Sequence, residues 1–484
     1  MTLYARRSRR SRPWGKILLA LLLVLGLSAV ALAWLRVGPP PTLSIEPELP
    51  GIGPRTPVVV HLAEPTRGLA SWRAELVQGE RVVPLEGRSY TPRPFWAFWG
   101  TLQAEDTVRF DVGRETLPEL SEGTATLRLV AERATTPLRR PEPTVRELEL
   151  PVRLRAPALQ VTREPYLVAE GGSGVVIYRV GAEATRDGVQ VGDHFVPGSP
   201  FSSDGSEVTS AGGERLRFAF YGVADDFTER IGDAEPTRAI RLVAEDELGN
   251  RIEQPFLQSF LERRFTSDDI EVDDGFLARV VPPIVARTAE IDEGPSLVET
   301  YVTINRELRA RNVQTLVDLA MASHQEMLWR GSFLQLPNSV VTGTFGDRRT
   351  YFYGGEEIDR ATHLGFDLAS VREAEVPSAN AGVVVLADFF GIYGNTVVVD
   401  HGFGVLSLYS HLSRIDVEAG ATVDRSTILG RTGTTGLAAG DHLHFTMIVG
   451  GVQVTPLEWW DRGWIANRIR EKLADTFDLG ADAG

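Results

Sequence analysis

His442-Leu443-His444-Phe445-Thr446-Met447-Ile448-Val449 is the stretch from which the rest of this 484-residue chain can be read. The run after the second histidine is apolar and β-prone, and it reads as a strand. Side chains alternate across a strand, so two histidines at i and i+2 project together into one cleft. Two imidazoles in one cleft suggest a metal, and the chain narrows which kind. It has no cysteine, which removes thiolate nucleophiles, disulfides and every cysteine-based zinc site.

Working outward, two short segments supply partners: His363-Leu364-Gly365-Phe366-Asp367 and Tyr409-Ser410-His411-Leu412. A catalytic zinc takes three protein ligands and keeps one position open. His363, Asp367 and His444 would give two neutral ligands and one carboxylate, leaving a Zn2+ net positive. That charge lowers the pKa of bound water and polarises a carbonyl. A proton must then leave the water and another must reach the leaving amine. His411 and His442 are available for this, since imidazole titrates near neutrality. Of the eight histidines, His61, His194 and His324 read as ordinary structural or surface residues, and His401 as support beside the site.

The segments resemble the lysostaphin-type, LytM-like zinc endopeptidases, over about residues 336–456. The likeness extends to Gly365-Phe366-Asp367-Leu368-Ala369, Asp400-His401-Gly402, Gly430-Arg431-Thr432-Gly433 and Gly440-Asp441-His442-Leu443-His444-Phe445. Asp441 departs from the proline often found there and removes no ligand. The resemblance implies a compact antiparallel β domain with a groove at the metal. It makes His363, Asp367 and His444 the zinc ligands, with His411 and His442 catalytic. It implies hydrolysis of peptide cross-links in bacterial peptidoglycan, with stem peptides and cross-bridges as the partner. The alternative is a non-hydrolytic relative that activates cell-wall amidases, but all five positions are filled, which favours catalysis. In this family an upstream side chain can also occupy the fourth metal position, and Asn338 or the segment before it is the candidate here.

The peptidase region is expected over 333–464, followed by a tail over 465–484 with one helix and a frayed acidic end. Before it, 263–332 carries apolar residues at helical spacing (Val298, Val302, Ile304, Leu308; Leu316, Leu319, Ala320, Met327), punctuated by Pro282-Pro283. This segment reads as a helical connector, either a packed linker or a brace beside the catalytic domain. Residues 42–156 and 157–262 hold short alternating runs between turn signals and read as two immunoglobulin-like β-sandwich modules. These modules are candidates for contacting wall proteins. The string Phe95-Trp96-Ala97-Phe98-Trp99 reads as core or interface packing.

The N-terminus completes the outline. Six basic residues within 1–16 precede an uncharged apolar run over 17–35, against a single Arg36 after it. Its length and flanks favour a transmembrane anchor over a cleaved signal peptide, with residues 1–16 cytoplasmic and the rest outside the inner membrane. A net charge of -15 argues against nucleic acid as a partner. The expected fold class is mostly β: two sandwich modules, a helical connector and an antiparallel-β peptidase domain behind one membrane helix.

Overall fold

A computed structural model describes residues 14–97, 99–163, 165–289, 291 and 294–480. The basic residues Arg6 to Arg12, and Phe98 of the aromatic string, lie outside the described residues. The chain forms two compact units, residues 1–155 with 247–250, and residues 156–246 with 251–484. The second β block therefore belongs with the peptidase region in one unit, and is not a separate module.

The first unit starts with the helix Trp14–Leu35, long and apolar enough to cross a membrane, as an anchor or a signal sequence would be. Two antiparallel sheets follow. One holds Thr42–Pro47, Thr56–Ala63 and Glu105–Val112; the other holds Arg81–Ser89, Leu69–Gln78, Gly123–Arg133 and Thr144–Val152. Burial alternates along these strands, as in Thr56–Ala63, because each sheet turns one face to solvent. Val58, Val60, Leu62, Trp72, Leu76 and Leu127 close a core made only of this block.

The second unit is built around a sheet ordered Val340–Gly343, Phe366–Ala369, Leu443–Val449, Val405–Leu412, Asn395–Asp400, Gly382–Phe389, Thr422–Val423. Both of its faces are buried. On one, Phe445, Met447, Val449 and Tyr409 share a core with Val175, Ile177, Phe218 and Phe220 of the second β block. That block can do this because its strands Ser173–Val180 and Arg215–Gly222 are buried on both sides. Val176, Tyr178, Ala219 and Tyr221 point the other way, into a core of its own. The tail forms one unbroken helical run over 462–473, π-helical at Ile465–Arg470, and Leu473, Phe477 and Leu479 are buried in the shared core, with Phe477 against Phe201, Phe218 and Phe403.

Helices of the connector cover the opposite face. Asp273 caps the helix Asp274–Ala286 by accepting from the Phe276 amide at 2.7 Å, and Ser296 caps Leu297–Thr303 with Glu299 as its reciprocal partner. Pro282 and Pro283 lie inside the first helix and do not end it. An internal proline costs about 3 kcal/mol, and burial of Leu277, Val280, Val281 and Ile284 against Val398, Leu406, Leu408 and Ile448 offsets it. A π-helical turn, Ile304–Leu308, leads into Arg309–Met321.

Candidate metal and catalytic centre

The connector-side face of the sheet brings the five sequence-selected residues together. On Leu443–Val449, residues 443, 445, 447 and 449 enter the shared core, so His444, Thr446 and Ile448 face the connector. Asp367, paired with His444 in register, does the same on the neighbouring strand. His411 would alternate onto the wrong face with Tyr409. The pairing of its strand jumps from Val397↔Tyr409 to Asn395↔Leu412, which inserts one extra residue, and His411 takes φ +62°. This bulge turns the ring towards His442 and His444, with centroids 4.9 and 5.8 Å away.

The geometry around Asp367 is close. Its Oδ1 lies 2.9 Å from His363 Nε2, 3.0 Å from His444 Nδ1 and 3.4 Å from His442 Nε2. Its Oδ2 accepts from Arg349 Nη2 at 3.2 Å. The outer hydrogen bonds assign the tautomers. His363 Nδ1 donates to the Thr344 carbonyl at 2.8 Å, which leaves the Nε2 lone pair facing inward. The Thr446 hydroxyl donates to the Leu364 carbonyl at 2.7 Å, so its oxygen accepts from His444 Nε2 at 3.1 Å and frees the Nδ1 lone pair. These two inward nitrogens are 2.9 Å apart.

Two lone pairs and a carboxylate oxygen thus converge with no proton among them, an arrangement that repels itself unless a cation sits between. Ligands of a tetrahedral zinc at about 2.1 Å stand about 3.4 Å from one another, a few tenths of an ångström more than the 2.9–3.0 Å found. The donor set therefore fits zinc, and the three donor atoms group within 4.8 Å. There is no spare room around it: a Cβ on Gly365 would lie 2.5 Å from His444 Nε2, and one on Gly343 would lie 2.7 Å from Asp367 Oδ2.

Electrostatics separate the histidines. Burial pushes His444 down to about 4, consistent with a neutral donor. Burial, then the neighbouring His442 and His444, hold His411 well below the ordinary imidazole value. Burial also acts against a charge on His442, but the Asp367 carboxylate outweighs it and raises that group. His411 Nδ1 donates to the Thr435 carbonyl and His442 Nδ1 to the Gly440 carbonyl, each at 2.8 Å, so both rings keep Nε2 for other work.

A groove of about 260 Å³ opens over these residues, and the connector forms part of its wall through Phe276, Tyr301 and Arg309. Arg309 donates to Asn305 Oδ1 at 2.6 Å and to the Asn305 carbonyl at 3.1 Å, and it makes no ion pair among the described residues. Asn305 is itself oriented by Asp359, which accepts from its Nδ2 at 2.8 Å. Asn338 does not line the groove; it is an exposed turn residue at φ +52°. Of the other histidines, His401 is fully buried between the Ala381 carbonyl and the Ser407 hydroxyl, and the remaining three lie outside the groove. Sequence reading missed Arg349, Arg309, Thr344, Thr435 and Thr446. None belongs to a ligand-type pattern: Arg349 and Thr446 come in by strand pairing, Arg309 by helix docking, and Thr344 and Thr435 from loops.

Residues 361–456 match Peptidase family M23. The chain is 38% identical over 98 residues to the peptidoglycan DD-endopeptidase ShyA of Vibrio cholerae, covering 20% of this chain and 23% of that protein. It is 35% identical over 95 residues to the DD-carboxypeptidase/endopeptidase Mpg of Neisseria meningitidis, covering 20% of this chain and 22% of that protein. The chain thus spans less than a quarter of the length of these curated relatives. The catalytic domain of lysostaphin from Staphylococcus simulans is 24% identical, with a TM-score of 0.23, over 27% of this chain and 98% of that one. The C-terminal part of the chain is a peptidase M23 domain.

Proposed function

We propose that the second unit is a zinc-dependent endopeptidase that hydrolyses peptide cross-links of peptidoglycan, with His363, Asp367 and His444 as ligands. The observation that carries this reading is the convergence of two tautomer-fixed lone pairs and one carboxylate, without a proton, at zinc-like separations. The relatives' activities support the substrate class. When bound, zinc supplies Lewis-acid polarisation of the scissile carbonyl and a water of lowered pKa.

The remaining chemistry belongs to side chains. His411 offers an unprotonated Nε2 to take a proton from the attacking water, held in register by Thr435. His442 presents Nε2 beside Asp367, placed to donate to the developing oxyanion and then to the leaving amine. Arg349 fixes the outer oxygen of Asp367, so the inner one keeps its direction. Arg309, with only neutral partners, gives the groove a positive wall for a substrate carboxylate.

The test uses the full chain in detergent, with metal content and release of soluble fragments from purified peptidoglycan measured together. One zinc per chain is expected, lost in His363→Ala. His411→Gln and His442→Gln should keep the metal and lose about 10²–10⁴-fold in rate. Wild-type protein that holds zinc yet releases nothing from walls of several cross-link types would replace this reading with the amidase-activating one.

A further inference from the structure

Three segments meet where the apolar helix ends. The Thr136 hydroxyl donates to the Trp34 carbonyl at 2.5 Å, and Phe95 packs edge-on against the Trp34 ring at 6.2 Å. Arg67, 1% exposed, ties the helix end to the loop of Phe95: Nη1 donates to the Arg36 carbonyl at 2.5 Å and Nη2 to the Arg93 carbonyl at 3.1 Å. Arg133 adds a bond to the Gly38 carbonyl at 2.8 Å. The helix end and the loops around residues 90–104 and 134–141 thus form one fastened surface within the first unit.

That surface turns large apolar side chains outward. Trp96, Trp99 and Leu138 are 55%, 69% and 60% exposed, although the aromatic string reads from sequence as packing. Such side chains in water are costly unless something covers them. In a chain of net charge -15, residues 34–45, 90–104 and 134–141 contain no Asp or Glu, while Arg139 and Arg140 are exposed among them. Exposed indole rings and guanidinium groups on segments free of Asp and Glu suit the headgroup layer of a bilayer, where rings sit at the boundary and cations meet phosphates.

We propose that this surface lies in the membrane interface, with Trp96 and Trp99 seated among the lipid headgroups on the far side of the span, so that the first β block rests on the bilayer. The proposal rests on Trp14–Leu35 being a retained membrane span.

The absence of cysteine makes the test clean. The full chain carrying Trp96→Cys, Trp99→Cys, Leu25→Cys or Val82→Cys, one at a time, is labelled with an environment-sensitive fluorophore and reconstituted in phosphatidylethanolamine–phosphatidylglycerol vesicles. Labels at 96 and 99 should shift to the blue. A headgroup-placed spin label should quench them several-fold more than the label at 82, while the label at 25 answers to a spin label deep in the acyl chains. If 25 is quenched and 96 and 99 behave like 82, the proposal falls and the span stands. If 25 is not quenched, the span itself fails and takes the proposal with it. Labels at 96 and 99 shielded only after purified peptidoglycan is added would overturn the lipid reading in favour of a glycan face.

Discussion

The two β-rich blocks look alike as sequence and differ in what holds them. The first closes its core with its own residues, and its strands alternate buried with half-exposed positions. The second buries Val176, Tyr178, Ala219 and Tyr221 on one side, and Val175, Ile177, Phe218 and Phe220 on the other. The latter set lies in the same core as Phe445, Trp459 and Phe477 of the peptidase region. A strand pair buried on both faces cannot be a detachable module, because removing either neighbour exposes a full apolar layer.

The largest expected effect follows from that contrast. Excising 156–246 from the anchored chain should leave a catalytic region that aggregates or is digested. Excising 42–155 should leave one that unfolds cooperatively and still releases wall fragments. Limited proteolysis and thermal unfolding decide it, and equal tolerance of both deletions would break the comparison. A sharper form uses single residues. Phe218→Ala should cost about 3–5 kcal/mol and lower the melting of the catalytic unit together with its activity. Leu76→Ala, at about 2–5 kcal/mol, should lower only the transition of the first unit.

Acid should separate the units further. Burial pushes His401 down to about 4, below its free value, so the folded state binds its proton less readily than the unfolded chain does. The stability this gives is complete above about pH 6.5, the free imidazole value, and is lost as pH falls through about 4. Melting of the catalytic unit should therefore drop across that window, and His401→Asn, less stable at neutral pH, should show a flatter profile. The first unit, which has no buried histidine, serves as the internal reference for that measurement. The smallest effect is expected at the exposed Arg109–Glu48 pair of the first unit, 2.8 Å apart. There Arg109→Ala should change stability by less than about 1 kcal/mol, and high salt should erase the difference.

Much of the centre was legible because its chemistry is written in short spacings. The i, i+2 histidines and the His363–Asp367 segment meet through one strand pair, and local pattern carries that far. His411 was legible by residue type, but the bulge that turns it inward was not, since it depends on partner-strand pairing. Thr344, Thr446 and Arg349 fix tautomers and oxygens from positions with no ligand pattern at all. The connector helices were readable from their periodicity, whereas Arg309 as part of the groove wall depends on how they dock. Sequence reading set 157–262 apart as a module, although Val175-Val176-Ile177-Tyr178 carried a signal that it shares a core. A continuous apolar run, in place of alternation, marks a strand with two buried faces.

Phe477 has a consequence for how the catalytic unit comes into being. It touches Phe218, more than half the sequence away, in the core that also backs the strand bearing His444. During folding, the upstream strands must wait for that ring before the core can close. The core of the first unit, by contrast, closes with residues 43–154 alone. The core behind His444 therefore closes only once residues from both ends of the second unit are present.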